Sequence, residues 1–388
     1  MTKTEKDIML PEFYQTCFQR QLTATQFITL KLLVLLLQFQ KQVRIERLAA
    51  LWPEPILFES RRRRLQRFLV LPIVNIKNLW FPLVKHLIKI HFGKNDQLFI
   101  TIDRTQWRET NLFVASLIWE QRAIPLYWLI LPKRGCSNLT EQKQLLCPVL
   151  SLLKNYQIVV LGDREFGSVG LAHWLNLRGV GFCLRLKQGR YIRTEQEEYK
   201  RLDSLGLLPG MSCYLQDVKV TKQLGFGQFD IACKWQGKCR QKYTKEPWYI
   251  LTNLGTLSTA IKAYQSRSGI EAMFKDCKTG GYNLEGSHAC EQRLISLVLI
   301  IAIAYTCAII QGKQIKSQGV QQYVCRLKET HRSYQRHSSF WVGLYGELWL
   351  DIFLSCTKDV CELMKLKPNK SLNFHRGLKA ASLIQSCL

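Results

Sequence analysis

The sequence is short of acid. Against 55 lysines and arginines stand only 29 aspartates and glutamates, leaving a formal charge of +26 over 388 residues. An excess of that size, spread along the chain rather than held in one tail, favours a polyanionic partner and broad contact with phosphate, nucleic acid before an anionic membrane surface. A membrane surface would call for a basic amphipathic helix or a lipidation signal, and the N-terminus MTKTEKDIML carries neither. The same stretch lacks the apolar run and cleavage site of a secretory signal, so the expected compartment is the cytoplasm. No CxxC pair occurs among the fourteen cysteines, the nearest neighbours being Cys356 with Cys361 and Cys233 with Cys239. That excludes a zinc site or disulfide framework of the usual spacing, and most of the thiols are expected to be reduced and buried. No internal repeat or low-complexity tract is present. One apolar run, Leu294 to Ile310, has 17 residues, the low edge of membrane length. A long buried helix in a large core has the same pattern and is the expected reading.

What is present is enough apolar residue, 47%, to bury a sizeable core in two or three domains. The first part, residues 1–95, reads as helical. Thr23 and Gln26 form a capping-box pattern ahead of the almost wholly apolar stretch Phe27 to Phe39. Arg44 to Trp52 reads as a short helix, Pro53 and Pro55 break it, and Ser60 can cap a second helix carrying Arg61, Arg62, Arg63, Arg64 and Arg67. Helix, break, basic helix is the outline of a helix-turn-helix with an unusually long connection, so Arg61 to Arg64 are candidate DNA contacts; the alternative is a solvated basic face.

From residue 96 the periodicity changes. Leu98 to Ile102, Asn111 to Trp119 and Ile124 to Leu131 read as three adjacent strands, the last two a hairpin. A helix over Thr140 to Asn155, with Pro148 inside it, leads to a strand at Ile158 to Leu161, a helix at Leu171 to Leu177 and a strand at Gly181 to Leu186. Three strands, helix, strand, helix, strand and, later, a carboxylate-bearing helix is the order of an α/β, ribonuclease H-like core with a mixed sheet and flanking helices. The expected core is split into 96–188 and 256–312. Between them, residues 189–255 hold short polar strands at Cys213 to Lys222, Phe229 to Trp235 and Trp248 to Thr252, punctuated by Gly225, Gly227 and Gly237, which predict a β-rich insertion. Residues 313–388 form a basic and helical C-terminal region containing His331 and His337. There a stripe of Phe340, Trp341, Leu344, Leu348 and Leu350 suits packing on the core or on a second subunit, and the tail after Lys365 is expected to be loosely ordered.

Two of the strands lead into aspartates, Asp103 and Asp163, which buried strands seldom do by accident. The third element is the stretch Ala263 to Glu285, predicted as one helix ending at Gly280-Gly281. At about 3.6 residues per turn it gathers Tyr264, Arg267, Glu271, Lys275 and Lys278 within roughly a quarter of its circumference, with Ala263, Ile270, Met273, Phe274 and Cys277 turned to a core. Alone, such a stripe is an ion-paired surface helix. With two strand-borne aspartates it suggests three carboxylates meeting on one or two hard divalent cations, the neighbouring cations serving phosphates. Glu165 falls on the same side as Asp163, where it could back the metal ligands or even be one; the preferred reading is a supporting pair with Arg164. His173 and His288 are read as structural, and no serine or cysteine nucleophile is required.

The pieces IDRT at Asp103, LGDREFGS at Asp163, WYILTNL at Trp248, and the spacing tyrosine, two residues, arginine, three residues, glutamate, six residues, lysine resemble a bacterial DDE transposase. More narrowly they resemble the YREK signature of the insertion-sequence-four family, over roughly Leu98 to Ile310. The resemblance implies cut-and-paste transposition: metal-dependent cleavage of double-stranded DNA at terminal inverted repeats, then strand transfer into target DNA. It implies two Mg2+ ions, replaceable by Mn2+, with Asp103 bridging both and Asp163 and Glu271 each holding one. Tyr264, Arg267, Lys275 and Lys278 would contact phosphates, and Trp248 would stack on a flipped base and support a hairpin end. A homodimer on DNA, a cytoplasmic and nucleoid-associated location, and no membrane or small-molecule substrate are the corresponding expectations. A ribonuclease H-like nuclease without strand transfer, or a catalytically silent protein that binds transposon ends, would share parts of the pattern.

Overall fold

Side-chain caps place several of the helix starts. In the computed structural model, which describes residues 10–193, 198–221, 228–237, 246–327, 329–330 and 336–387, the chain opens with α1 (Glu12–Gln19) and α2 (Ala24–Gln40). Thr23 and Gln26 make the predicted reciprocal cap, Gln26 N–H donating to Thr23 Oγ1 at 3.3 Å and Thr23 N–H to Gln26 Oε1 at 3.0 Å. Then come α3 (Ile45–Ala50), α4 (Phe58–Phe68) and α5 (Phe81–His91). Leu57, not Ser60, precedes the first turn of α4, so the predicted serine cap is not formed. The extended backbone imposed before and at Pro53 and Pro55 ends early enough for the helix to begin at Phe58.

The chain divides into two compact units, Val84–Phe274, and Met1–Leu83 with Lys275–Leu388. The first is built on ten strands: β1 (Gln97–Trp107), β2 (Thr110–Trp119), β3 (Arg122–Ile130), β4 (Gln157–Gly162), β5 (Gly181–Arg185), β6 (Tyr191–Arg193), β7 (Lys200–Arg201), β8 (Ser212–Val220), β9 (Gln228–Lys234) and β10 (Trp248–Thr252). Their order is β3-β2-β1-β4-β5-β10-β9-β8-β6-β7. β1, β2 and β3 form an antiparallel meander, while β1, β4 and β5 run parallel. The parallel links carry α6 (Leu139–Leu152), capped reciprocally by Asn138 and Glu141, and α7 (Val169–Asn176), capped by Ser168. This mixed sheet with flanking helices is the expected α/β, ribonuclease H-like core. The later strands extend the same sheet through antiparallel pairing of β10 with β5. Gly225, Gly227 and Cys239 lie outside the described residues.

Two elements differ from expectation in this unit. β1 does not stop at Asp103 but runs on to Trp107, because Thr105 and Trp107 resume the buried alternation and pair with β2. The predicted single helix from Ala263 is two, α8 (Leu257–Ser266) and α9 (Ser268–Cys277), meeting at Arg267. The hydroxyls of Ser266 and Ser268 donate to the carbonyls of Ala263 and Gln265, a local competition that loosens the helical ladder there.

In the second unit α10 (Glu291–Ser317) is long and apolar enough to cross a membrane, yet 94% of its most apolar stretch is buried by protein. Tyr14 on α1 donates to Thr306 Oγ1 at 2.6 Å. α11 (Ser339–Ser355) crosses α10 at glycines: a methyl on Gly312 would stand 1.8 Å from Ser339 O, and one on Gly343 1.9 Å from Ala308 O. Phe340 sits between the rings of Tyr282 and Tyr305, and Leu344 and Leu350 are also buried, so much of the α11 stripe serves this unit's own core. After α12 (Thr357–Lys365), the tail is not loose. It forms α13 (Ser371–Cys387), whose Ala380 and Ile384 pack with Ile315, Val320 and Val342. The His337 and Trp341 rings meet at 3.9 Å, tilted by 32°, and His331 lies outside the described residues. The described cysteines are all free, and only Cys183, Cys233, Cys277 and Cys307 are buried, fewer than expected.

Candidate active site

Backbone pairing sets the site. β1 and β4 run in parallel register from Gln97 opposite Gln157 to Ile102 opposite Gly162. The next residue on each chain is an aspartate, Asp103 and Asp163, so the two carboxylates emerge side by side where the pairing ends. Asp103 is well enclosed, with 20% of its side chain exposed. Burial raises its carboxyl from 3.8 to about 6; the Arg104 N–H, donating to Oδ1 at 2.7 Å, and Arg267 oppose this, while Asp163 and Glu271 add to it. Asp163 accepts from the N–H of Arg164.

Glu271 arrives on α9, one turn after Arg267. The guanidinium of Arg267 is 14% exposed, lies 3.5 Å from Asp103 Oδ2 and donates to Glu271 Oε1. Burial alone would push its pKa down; Tyr264, Glu271, Asp163 and Asp103 around it more than offset that and raise it. Glu271 is 57% exposed and forms the mouth of the group. The buried Tyr264 has its phenol raised by burial, with Arg267 and Arg185 acting in the opposite direction and Asp163 in the same one. Trp248, half-buried on β10, meets the Tyr264 ring at 5.1 Å and 72°.

The remaining predicted residues lie in the helical unit. Lys275 is exposed in the last turn of α9, and Lys278 pairs with Glu285 at 2.6 Å. The four consecutive arginines of α4, Arg61 to Arg64, are not one surface. Arg61 donates to the carbonyls of Ala50 and Trp52 at 3.3 and 3.2 Å, Arg62 pairs with Glu59 at 2.9 Å and Arg64 with Glu54 at 2.6 Å, leaving Arg63 exposed.

A supporting network was only half visible in the sequence. Glu165 takes Arg104 in a two-pronged pair at 2.7 to 2.8 Å and accepts from Ser137 N–H and Oγ at 2.8 and 2.9 Å. Arg104 also donates to Asn111 Oδ1 at 3.0 Å. The expected partnership of Glu165 with Arg164 does not form, because Arg164 and Arg185 both turn to Glu246, at 2.6 and 2.8 Å. Glu165 thereby clamps the residue after Asp103 to the loop after Asp163.

As a donor set, three carboxylates suit a hard divalent cation, and the under-neutralised Asp103 is the kind of group that such an ion would satisfy. Among the described residues no three His, Cys, Asp or Glu side chains stand together closely enough to grip a metal ion as they are. Arg267 holds the space between Asp103 and Glu271, so the arrangement here is three carboxylates sharing one arginine.

Residues 135–307 match the family described as Transposase DDE domain. The match supports a DDE transposase. The matched segment includes Asp163 and Glu271 and begins after Asp103. Among solved structures, the chain is similar to one described as a cryo-EM structure of the piggyBac transposase synaptic complex with hairpin DNA, at 12% identity and a TM-score of 0.43, over 87% of this chain and 76% of that one. So distant a likeness bears on neither mechanism nor partner. No curated protein matches the chain.

Proposed function

We propose that this protein is a cut-and-paste transposase of the insertion-sequence-four family, cleaving double-stranded DNA at terminal inverted repeats and joining the freed ends to target DNA. The observation that carries the reading is the β1–β4 register, whose last pair, Ile102 with Gly162, leads directly into Asp103 and Asp163, with Glu271 tied to the same group through Arg267.

In this reading Asp103, Asp163 and Glu271 hold two divalent cations, Mg2+ or Mn2+. Such ions supply charge stabilisation at the scissile phosphate and lower the pKa of the attacking water. Arg267 pairs with Asp103 and Glu271 and would turn its fork to phosphate oxygens once DNA is bound, a geometry that a guanidinium matches and an ammonium does not. Tyr264, buried beneath it, fixes the direction of Arg267 and adds a phenol donor. Glu165 keeps the two aspartates aligned through Arg104. Lys275 and Lys278 contact the strand further from the cut. Trp248 takes a flipped base during excision through a hairpin end, using the part of its ring that Tyr264 leaves open. Residues 1–95 and the β-rich stretch 189–255 carry the surfaces for the ends, residues 96–188 and 256–312 the catalytic core, and 313–388 the contacts of a homodimer on DNA. The protein acts at the bacterial nucleoid in the cytoplasm.

The test is incubation of purified protein with a DNA fragment carrying the ends that flank its gene, with magnesium, comparing wild type with Glu271→Gln. Nicks at the element boundary, lost in the variant while end binding is kept, are expected. Specific binding without nicking by the wild type would sink the catalytic reading in favour of a silent end-binder, and nicking without joining would leave a nuclease.

A further inference from the structure

The helical unit holds a cavity of about 440 Å³ lined by Ser60, Arg63, Gln66, Arg67, Val70 and Arg293. At about 100° per residue, Ser60, Arg63, Gln66 and Arg67 lie within about 120° of one another on α4, while Arg61, Arg62 and Arg64 fall outside that arc. Those three are the arginines already held by backbone carbonyls or glutamates. The cavity arginines are different. Arg67 Nε donates weakly to the Arg63 carbonyl at 3.4 Å, and the buried Nε of Arg293, from the first turn of α10, has no hydrogen-bond partner in the protein. Among the described residues no ion pair engages Arg63, Arg67 or Arg293, and no carboxylate lines the cavity.

Three guanidiniums gathered around one concavity repel each other unless an anion is shared between them. A buried donor without an acceptor adds its own cost. A tetrahedral phosphate oxyanion satisfies both conditions: it offers acceptors to three forks at once, while Ser60 and Gln66 supply neutral donors at the rim. We infer that this cavity is a binding site for a backbone phosphate of duplex DNA, formed by Arg63, Arg67 and Arg293. The inference rests on the proposed DNA-handling function and narrows its N-terminal contact: the α4 arginines adjacent in sequence mostly hold the fold, and the contact is completed by an arginine far along the chain.

The experiment uses the full chain and a labelled random-sequence duplex, with affinity followed against salt concentration. Replacing Arg63, Arg67 and Arg293 together by glutamine is expected to weaken binding and to make the slope of log affinity against log salt shallower by about 1 for each phosphate released. Lysine at all three positions should keep most of the slope, which shows that charge rather than folding has been changed. An unchanged slope in the glutamine variant, with circular dichroism as in the wild type, would overturn the proposal. Calorimetry with inorganic phosphate separates the sources: phosphate binding that depends on the three arginines while the duplex slope stays unchanged would make this a free-anion site and also overturn it. If the slope falls as expected but the wild type never cuts its own element's ends, the transposase reading fails and the phosphate site stands.

Discussion

Arginine does two different jobs in the two units of this chain. In the sheet unit each arginine near the carboxylates already has an acid: Arg104 has Glu165, Arg164 and Arg185 share Glu246, and Arg267 holds Glu271 beside Asp103. In the helical unit three arginines face a common cavity with no acid at all. A net charge of +26 is therefore a poor guide to where DNA would sit. An incoming phosphate must compete with an internal carboxylate in the sheet unit, whereas in the α4 cavity it meets no carboxylate. The first arrangement suits a site whose electrostatics must be set before substrate arrives, and the second suits affinity.

Breaking the paired region should have the larger effects. Asp163→Asn or Glu271→Gln is expected to lower cleavage of the element's ends by about a thousandfold or more, measured in single turnover, with end binding within about twofold of wild type. Joint loss of binding and folding would mean that these carboxylates build the structure instead. Glu165→Gln removes the partner of a guanidinium that, like Glu165 itself, is only 15% exposed. It should cost about 3 kcal/mol in urea unfolding, since an uncompensated charge is left inside. A cost no larger than that of an exposed pair would place Arg104 in contact with solvent.

A smaller effect, on pH, sharpens the comparison. Asp103 has its carboxyl raised from 3.8 to about 6, mainly by burial. The folded state then binds more protons than the unfolded state in that range, so without divalent ions stability should fall as the pH rises from about 4 to about 6 and stay lower above it. Asp103→Asn removes the ionisation and should unfold about 1–3 kcal/mol later than wild type at pH 7.5 in chelator. Magnesium should close the gap by stabilising the wild type alone. Wild type and variant equal in chelator would mean that Arg267 already neutralises Asp103 fully. The smallest effect belongs to Arg62→Gln, which breaks only the surface pair with Glu59 and should leave the salt slope of DNA binding unchanged. A slope as reduced as that of the cavity variant would erase the distinction between the two sets of α4 arginines.

The parts legible in the sequence were those written locally. Apolar, β-branched runs gave β4 and β10, reciprocal side-chain caps gave the start of α2, and a carboxylate directly after such a run marked both Asp103 and Asp163. The full length of β1 was hidden because Arg104 and Gln106 interrupt its apolar character, although Thr105 and Trp107 keep its alternation. α13 escaped because two alanines and one isoleucine carry its buried face, too little apolar surface to stand out. The break at Arg267 was written in Ser266 and Ser268, but serine competes with the helical backbone only in some contexts. What the sequence concealed was long-range: Arg104 meets Glu165 across 61 residues, and Arg293 joins α4 from the second stretch of its unit. No local pattern encodes such a meeting.

The β1–β4 register also determines where this protein tolerates change in length. The two aspartates are held level by six consecutive backbone pairs, with the Arg104–Glu165–Ser137 clamp just beyond them. Residues can be gained or lost between β7 and β8, which touches neither strand of that alignment, without moving one aspartate relative to the other. A single deletion inside 97–102 or 157–162 would shift one aspartate by a residue and turn it to the opposite face of the sheet. Lineages of this protein should therefore drift freely in loop length while those two six-residue segments stay fixed, a pattern of insertions and deletions that records the site even where the surrounding residues have changed.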